Sequence, residues 1–333
     1  MRRLLSALLA GALLLFLGSS AANASVAPTK GQVIVSLTFD GGYKGQDIAG
    51  TILASHKMAG TFYVSSGYIG FPAYMSLDQL RGLSRQRHEI GGASTQNNDL
   101  SKLPIAEAAK QVCDDRATLD RLGFRVTSFA YPRGADTVGV RRAVSQCGYN
   151  SARDVSGLHN SPTDCGDCPA AETIPPTNDF RIRTSESATT LEVLKARVTA
   201  AERGGGGWVP LGFRFVCVCP AKGAEAITPS ELTAFVSWLS KRPPGTTDVR
   251  TVDQVVGGVY KIVKGQPDAR LIPLDGSAPG QPGRPLSSRP AWSFWGLEIG
   301  QSQLIATGLL LTFTVVLTYR AAARRNRYER TAR

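Results

Sequence analysis

Histidine is scarce in this sequence: there are three in 333 residues, His56, His88 and His159, and no two stand closer than 32 positions. A metal site built on one helix or strand needs imidazoles a few residues apart, so this scarcity excludes a local histidine pair. Each of the three reads as structural or solvent-facing: near a helix end, at a strand start and in a loop. Clustered charge is scarce too. The net charge is +12, but Arg2 and Arg3 supply two of it, and the last fourteen residues, with six Arg against one Glu, supply five. The remainder is spread too thinly for the basic face that a nucleic-acid partner requires. Nothing in the composition is extreme: 42% hydrophobic and 19% charged residues suit a chain with a sizeable core and exclude a disordered or collagenous one. No internal repeat is visible.

The two ends read as addresses. Residues 1–24 have the form of a secretory signal peptide: Arg2-Arg3, an apolar run over 4–17, and the small residues Ala22-Asn23-Ala24 before Ser25. Residues 299–319 contain no charged residue in 21 positions, enough for a transmembrane helix, and the Arg-rich tail 320–333 follows at once, which predicts a cytoplasmic C-terminus. Residues 264–298 include the stretch Gly276-Ser-Ala-Pro-Gly-Gln-Pro-Gly-Arg-Pro285 and read as a semi-extended linker. One domain remains over 25–263. The expected localisation is the cell membrane, single-pass, with the domain on the extracellular side.

That domain alternates strand and helix. Strands are expected over 32–39, 60–66, 88–93, 126–131, 149–152, 208–217 and 249–252. Helices are expected over 48–55, 77–86, 104–122, 191–202 and 231–239, two of them opened by the capping boxes Ser76-x-x-Gln79 and Thr228-x-x-Glu231. Such alternation predicts an α/β fold with a parallel sheet, open or closed into a barrel. Six cysteines in an exported chain suggest three disulfides, with fifteen pairings open on paper. Cys217 and Cys219 fall two apart on an expected strand, too far for an unstrained bond to each other. Cross-links from them to Cys165 and Cys168 are therefore expected, leaving Cys113 to meet Cys147. The same four late cysteines, Cys165-x-x-Cys168 and Cys217-x-Cys219, form a rival zinc site by count, which export disfavours.

Five blocks then become specific: Val35-Ser-Leu-Thr-Phe-Asp40-Gly-Gly, His88-Glu-Ile-Gly-Gly-Ala-Ser, Phe129-Ala-Tyr-Pro-Arg-Gly134, Gly206-Gly-Trp-Val-Pro-Leu-Gly-Phe-Arg-Phe215 and Val249-Arg-Thr-Val-Asp-Gln-Val. In this order they resemble the blocks of the NodB-like polysaccharide deacetylases, over residues 33–259. The resemblance implies a distorted, incomplete (β/α) barrel. It also implies removal of acetyl groups from N-acetylated polysaccharide by water activated on a divalent metal. Carried over residue by residue, the base position is kept as Asp40. The metal-ligand positions hold Gly41, Ala93 and Asn97, and the catalytic histidine should fall at Arg214 or Phe215. Arg133 stands where Tyr or Phe is common in relatives.

A catalytic metal lowers the pKa of bound water from ~16 to ~7, which is worth on the order of 10 kcal/mol of nucleophile activation. Loss of the general acid removes a further hundredfold or more, roughly. The reading is therefore a degenerate deacetylase-like protein that needs no cofactor and binds, or formerly acted on, cell-envelope polysaccharide. Tyr131, Arg133 and Arg214 are the candidate substrate-binding residues, with Trp208 and Tyr43 as further stacking faces. Two other readings stay open: a hydrolase with altered, metal-free chemistry using Asp40 with Arg133 or Arg214, and a scaffold whose partner is another membrane protein. Without a metal, Asp40 needs a cation, and Arg214 is the expected partner.

Overall fold

Nine residues of almost unbroken burial, Val33–Gly41 (β1), form the central strand; a strand covered on both faces reads as a continuous apolar run, as VIVSLTF does. The computed structural model describes residues 29–159, 167–185, 190–219 and 225–261. The expected signal peptide, linker, membrane span and basic tail, and Cys165, lie outside them. Among the described residues no helix is long and apolar enough to cross a membrane.

In chain order, β1 is followed by α1 (Gln46–Ser55), β2 (Thr61–Val64), α2 (Leu77–Arg85), β3 (Glu89–Gly92), α3 (Ile105–Arg121), β4 (Ser128–Ala130), α4 (Val138–Gln146), β5 (Ser151–Gly157) and β6 (Ile182–Thr184). Then come α5 (Leu191–Arg203), β7 (Gly207–Phe213), β8 (Phe215–Val216), β9 (Ala226–Ile227), α6 (Pro229–Ser240), β10 (Thr247–Val249) and α7 (Val252–Val256). Every strand pairing is parallel. The order runs β1-β2-β3-β4-β5-β6, with β7 on the other side of β1 along its length and β10 beside the first residues of β1. A parallel bridge between Ser185 and Leu211 links the β6 and β7 edges. This is the distorted, incomplete (β/α) barrel expected from the sequence, with helices outside and Phe39 stacked on Phe62 (4.6 Å) and Phe213 (5.2 Å).

Both expected capping boxes form, and so does a third, Thr251 with Gln254, which opens α7. That cap corrects the expected strand over 249–252: β10 stops at Val249 because the Thr251 side chain accepts from the Gln254 backbone and turns the chain into a helix. The expected strand over 208–217 is likewise two strands, interrupted at Arg214. The break also corrects the disulfide scheme. Cys113 and Cys147 are joined as expected, with Cα atoms 5.0 Å apart, and pin α3 to the end of α4. Cys217 and Cys219, however, are joined to each other, with Cα atoms 5.4 Å apart. The strand ends at Val216 and the chain bends at Cys217 and Val218, so the two cysteines do not share an extended strand and the spacing argument does not apply to them. Cys168 is disulfide-bonded as well. Of the four cysteines of the rival zinc site, the three that are described, Cys168, Cys217 and Cys219, are thus all in disulfides.

Candidate functional site

At the C-terminal ends of the barrel strands, where α/β barrels place their working residues, lies a cleft of about 750 Å³. Asp40 reaches it from the end of β1. The three positions expected to hold a metal, Gly41, Ala93 and Asn97, line the same cleft, so the fold brings together what the sequence blocks separate by more than fifty residues. The loops that carry them are held from below by Asp115 of α3. Its carboxylate accepts the backbone N–H of Ser66 (2.7 Å), just beyond β2, and of Ala93 (3.1 Å), just beyond β3. Burial raises the Asp115 pKa to about 7, with these hydrogen bonds acting the other way.

The partner of Asp40 is Arg153, not Arg214. Arg153 stands on β5 in register with Ala130, its side chain 1% exposed, and Nη2 donates to Asp40 Oδ1. Its guanidinium lies 4.7 Å from the centre of the Tyr63 ring, and Nη1 donates to the Asp154 carbonyl (3.0 Å). Arg214 sits at the strand break after β7 and pairs instead with Glu225 (2.6 Å), both half-exposed. Two backbone carbonyls, those of Asp40 and Arg214, each accept from Gln46 Nε2 at 2.8 Å, which fixes the two strand ends against each other. Burial pushes the Asp40 carboxyl up from the usual range; the Arg153 charge and hydrogen bond, and more weakly the Arg214 charge, oppose that shift. Sequence reasoning missed Arg153. Its signal was an arginine in the middle of a strand whose neighbours Ser151 and Ala152 are buried.

The other candidates divide. Tyr131 lines the cleft but is 1% exposed, its hydroxyl donating to the Phe180 carbonyl (2.9 Å) and its ring edge-on to Phe129. Tyr43 also lines the cleft, stacked on Tyr74 and tilted against Phe215. Trp208 offers no stacking face: it is fully buried on β7, its indole N–H donating to Ser36 Oγ (2.9 Å). Arg133 is exposed on the rim in the left-handed region (φ 58°), flanked by Pro132 and Gly134. His88 is buried between Gly60 N–H, which donates to Nδ1, and the Gly50 carbonyl, which faces Nε2; this is the structural role expected for it.

The residues present do not fit the divalent metal that the resemblance implies. Gly41 and Ala93 carry no ligand atom, and Asn97 offers a neutral amide. Gly41 is also closed to replacement: its φ is +89°, and a Cβ there would lie 2.6 Å from Cε2 of Tyr43. The nearest strong cation to Asp40 is the Arg153 guanidinium, which a metal ion would have to displace or tolerate. Among the described residues no group of three His, Cys, Asp or Glu side chains is placed to hold a metal.

Residues 27–152 match the sequence family described as polysaccharide deacetylase. Among solved structures the chain is similar to the Xyl-CE4 domain of a multidomain xylanase from the hindgut metagenome of Trinervitermes trinervoides, at 14% identity over 67% of this chain and 89% of that one, TM-score 0.45. It is also similar to the peptidoglycan deacetylase PdaC from Bacillus subtilis, at 18% identity over 67% and 90%, TM-score 0.42. A third is a CE4 family pseudoenzyme from Bacillus anthracis, at 12% identity over 68% and 66%, TM-score 0.43. No curated protein matches the chain.

Proposed function

We propose, from the match of residues 27–152 to the polysaccharide deacetylase family, that the cleft binds N-acetylated cell-envelope polysaccharide without deacetylating it. The observation that carries this reading is the Asp40–Arg153 pair: the one retained catalytic carboxylate is bonded to a buried guanidinium, beside three ligand positions that hold Gly41, Ala93 and Asn97. Arg153 Nη2 occupies Asp40 Oδ1, one of the two oxygens that would take a proton from water, so the carboxylate is engaged by the protein rather than left open to a substrate water. Without a metal, the water itself stays near its ordinary pKa, so Asp40 lacks a nucleophile to activate. The uncharged run over 299–319 and the arginines after it support a membrane anchor, with the cleft outside the cell. Protease protection of the C-terminal tail on intact cells tests that orientation.

The functional test places two measurements on the same full-length protein: binding of an N-acetylglucosamine hexamer by calorimetry, and acetate release from it with added zinc, with added cobalt and with chelator. Saturable binding without acetate release is expected. Metal-dependent release overturns the non-catalytic reading, and release that persists in chelator favours the metal-free hydrolase.

A further inference from the structure

The cleft carries polar atoms that no group among the described residues satisfies. Arg153 Nε and Thr184 Oγ1 are both buried without a hydrogen-bond partner, and both residues line the cleft. A buried polar group left unpaired costs about 1–3 kcal/mol, so a set of them in one wall calls for an explanation. Orphaned atoms occur elsewhere too, acceptors such as Gln111 Oε1 and a donor, Arg116 Nη1, but neither of these residues lines the cleft. Arg153 Nε is an obligate donor, and what answers it must be an acceptor.

Charge points the same way. Arginines 133, 153 and 214 line the cleft against the carboxylates of Asp40 and Glu225. Those two acids are matched to Arg153 and Arg214, which leaves Arg133 on the rim without an ion-pair partner among the described residues. Arg133 holds a left-handed backbone, a conformation that costs a residue with a Cβ energy and persists where surrounding structure imposes it; such residues cluster at ligand sites. A deep arginine with a spare donor, a threonine hydroxyl and a rim arginine form a receptor for a planar, bidentate anion.

We propose that the polysaccharide this cleft takes is acidic, and that a sugar carboxylate seats between Arg133 at the rim and Arg153 and Thr184 in the wall. The assignment rests on the glycan-binding reading above and narrows its ligand class. The carboxylate accepts from the unpaired donors, and its charge answers the Arg133 guanidinium.

The test uses full-length protein and two probes that differ only in charge: a hyaluronan hexasaccharide, in which N-acetylglucosamine alternates with glucuronate, and the same hexasaccharide with its carboxyl groups reduced to alcohols. The acidic probe is expected to bind about tenfold or more tightly, equivalent to about 1.4 kcal/mol. Arg133→Gln should erase that advantage, so that the acidic and neutral probes bind the variant with the same affinity. Thr184→Val removes a hydroxyl that has no partner, so the melting temperature should stay level or rise while affinity for the acidic probe falls several-fold. Equal affinity for the two probes, or an Arg133→Gln variant that keeps the preference, overturns the carboxylate assignment and leaves glycan binding standing. Failure of both probes to bind overturns both readings.

Discussion

The two ends of the barrel each bury a carboxylate, and they treat it differently. At the N-terminal ends of the strands, Glu89 spans three of them: it accepts from Thr61 Oγ1 (2.8 Å) on β2, Ser128 Oγ (2.5 Å) on β4 and the backbone N–H of Asp253 (2.9 Å) on α7. Thr61 in turn accepts from the Val252 backbone (3.0 Å). Every donor aimed at Glu89 is local and uncharged. At the opposite end, Asp40 has a single charged partner reached from a strand four places away in the order, and the wall around that partner holds orphaned donors. A network that closes on itself serves the fold. One that stops short leaves room for something that is not the protein.

Four variants sharpen that contrast. The largest effect is expected from Glu89→Ala, which strips partners from two hydroxyls and one backbone N–H at once. Unpaired buried groups at 1–3 kcal/mol each make a loss of roughly 5 kcal/mol, read as a large drop in urea midpoint. A variant that stayed within 1 kcal/mol of the parent, roughly, would dissolve the distinction between the two ends.

Next is the pH dependence set by Asp115. Its folded pKa of about 7 lies above the unfolded value of 3.8, so the folded state holds the proton where the unfolded chain has lost it. Stability from this group is therefore full below pH about 4 and is lost as pH rises through about 7, to an extent of roughly 4 kcal/mol. Glu89 and Asp40 are shifted in the same direction by burial. Chemical unfolding at a series of pH values should show Asp115→Asn losing much of the decline between pH 4 and 7. An unchanged slope would show that the loops at Ser66 and Ala93 are held by something else.

Asp40→Asn should cost less, roughly 2–3 kcal/mol, because it leaves a buried arginine facing a neutral amide while the Asp40 side chain itself is 31% exposed and partly screened. Arg214→Ala, which breaks a half-exposed pair, should change stability by under about 1 kcal/mol. If the two effects were reversed, Arg214 rather than Arg153 would be the partner of the retained carboxylate.

Much of this architecture is legible in the chain. The alternation of buried runs with capped helices predicts the parallel barrel, and Ser76, Thr228 and their partners mark two helix starts. Short-range signals failed where a longer-range one decided. Val138–Gln146 opens with Val138, Gly139 and Val140, poor helix formers, and is held by the Thr137 cap and by packing of Val140, Ala143 and Val144. Ile182–Thr184 is three residues long with an arginine in the middle, too little for a periodic pattern, and is a strand because Arg153 and Gly157 on β5 pair with it. The site divides in the same way. That Gly41, Ala93 and Asn97 offer no carboxylate or imidazole can be read one residue at a time. That Arg153 rather than Arg214 answers Asp40 depends on which side chain points into the barrel, and the break at Arg214 that turns it toward Glu225 leaves no mark in the local sequence.

The central claim is that a guanidinium and an aromatic ring stand where the polysaccharide deacetylase resemblance would place a metal. A zinc titration of the wild-type protein beside the variant Gly41→Asp, Ala93→His, Asn97→His, with zinc per folded chain measured after gel filtration, tests it most directly. The account predicts no stoichiometric zinc on either protein, because Tyr43 blocks a side chain at position 41 and Arg153 remains bonded to Asp40. Stoichiometric, chelator-resistant zinc in the cleft of the wild-type protein would contradict it.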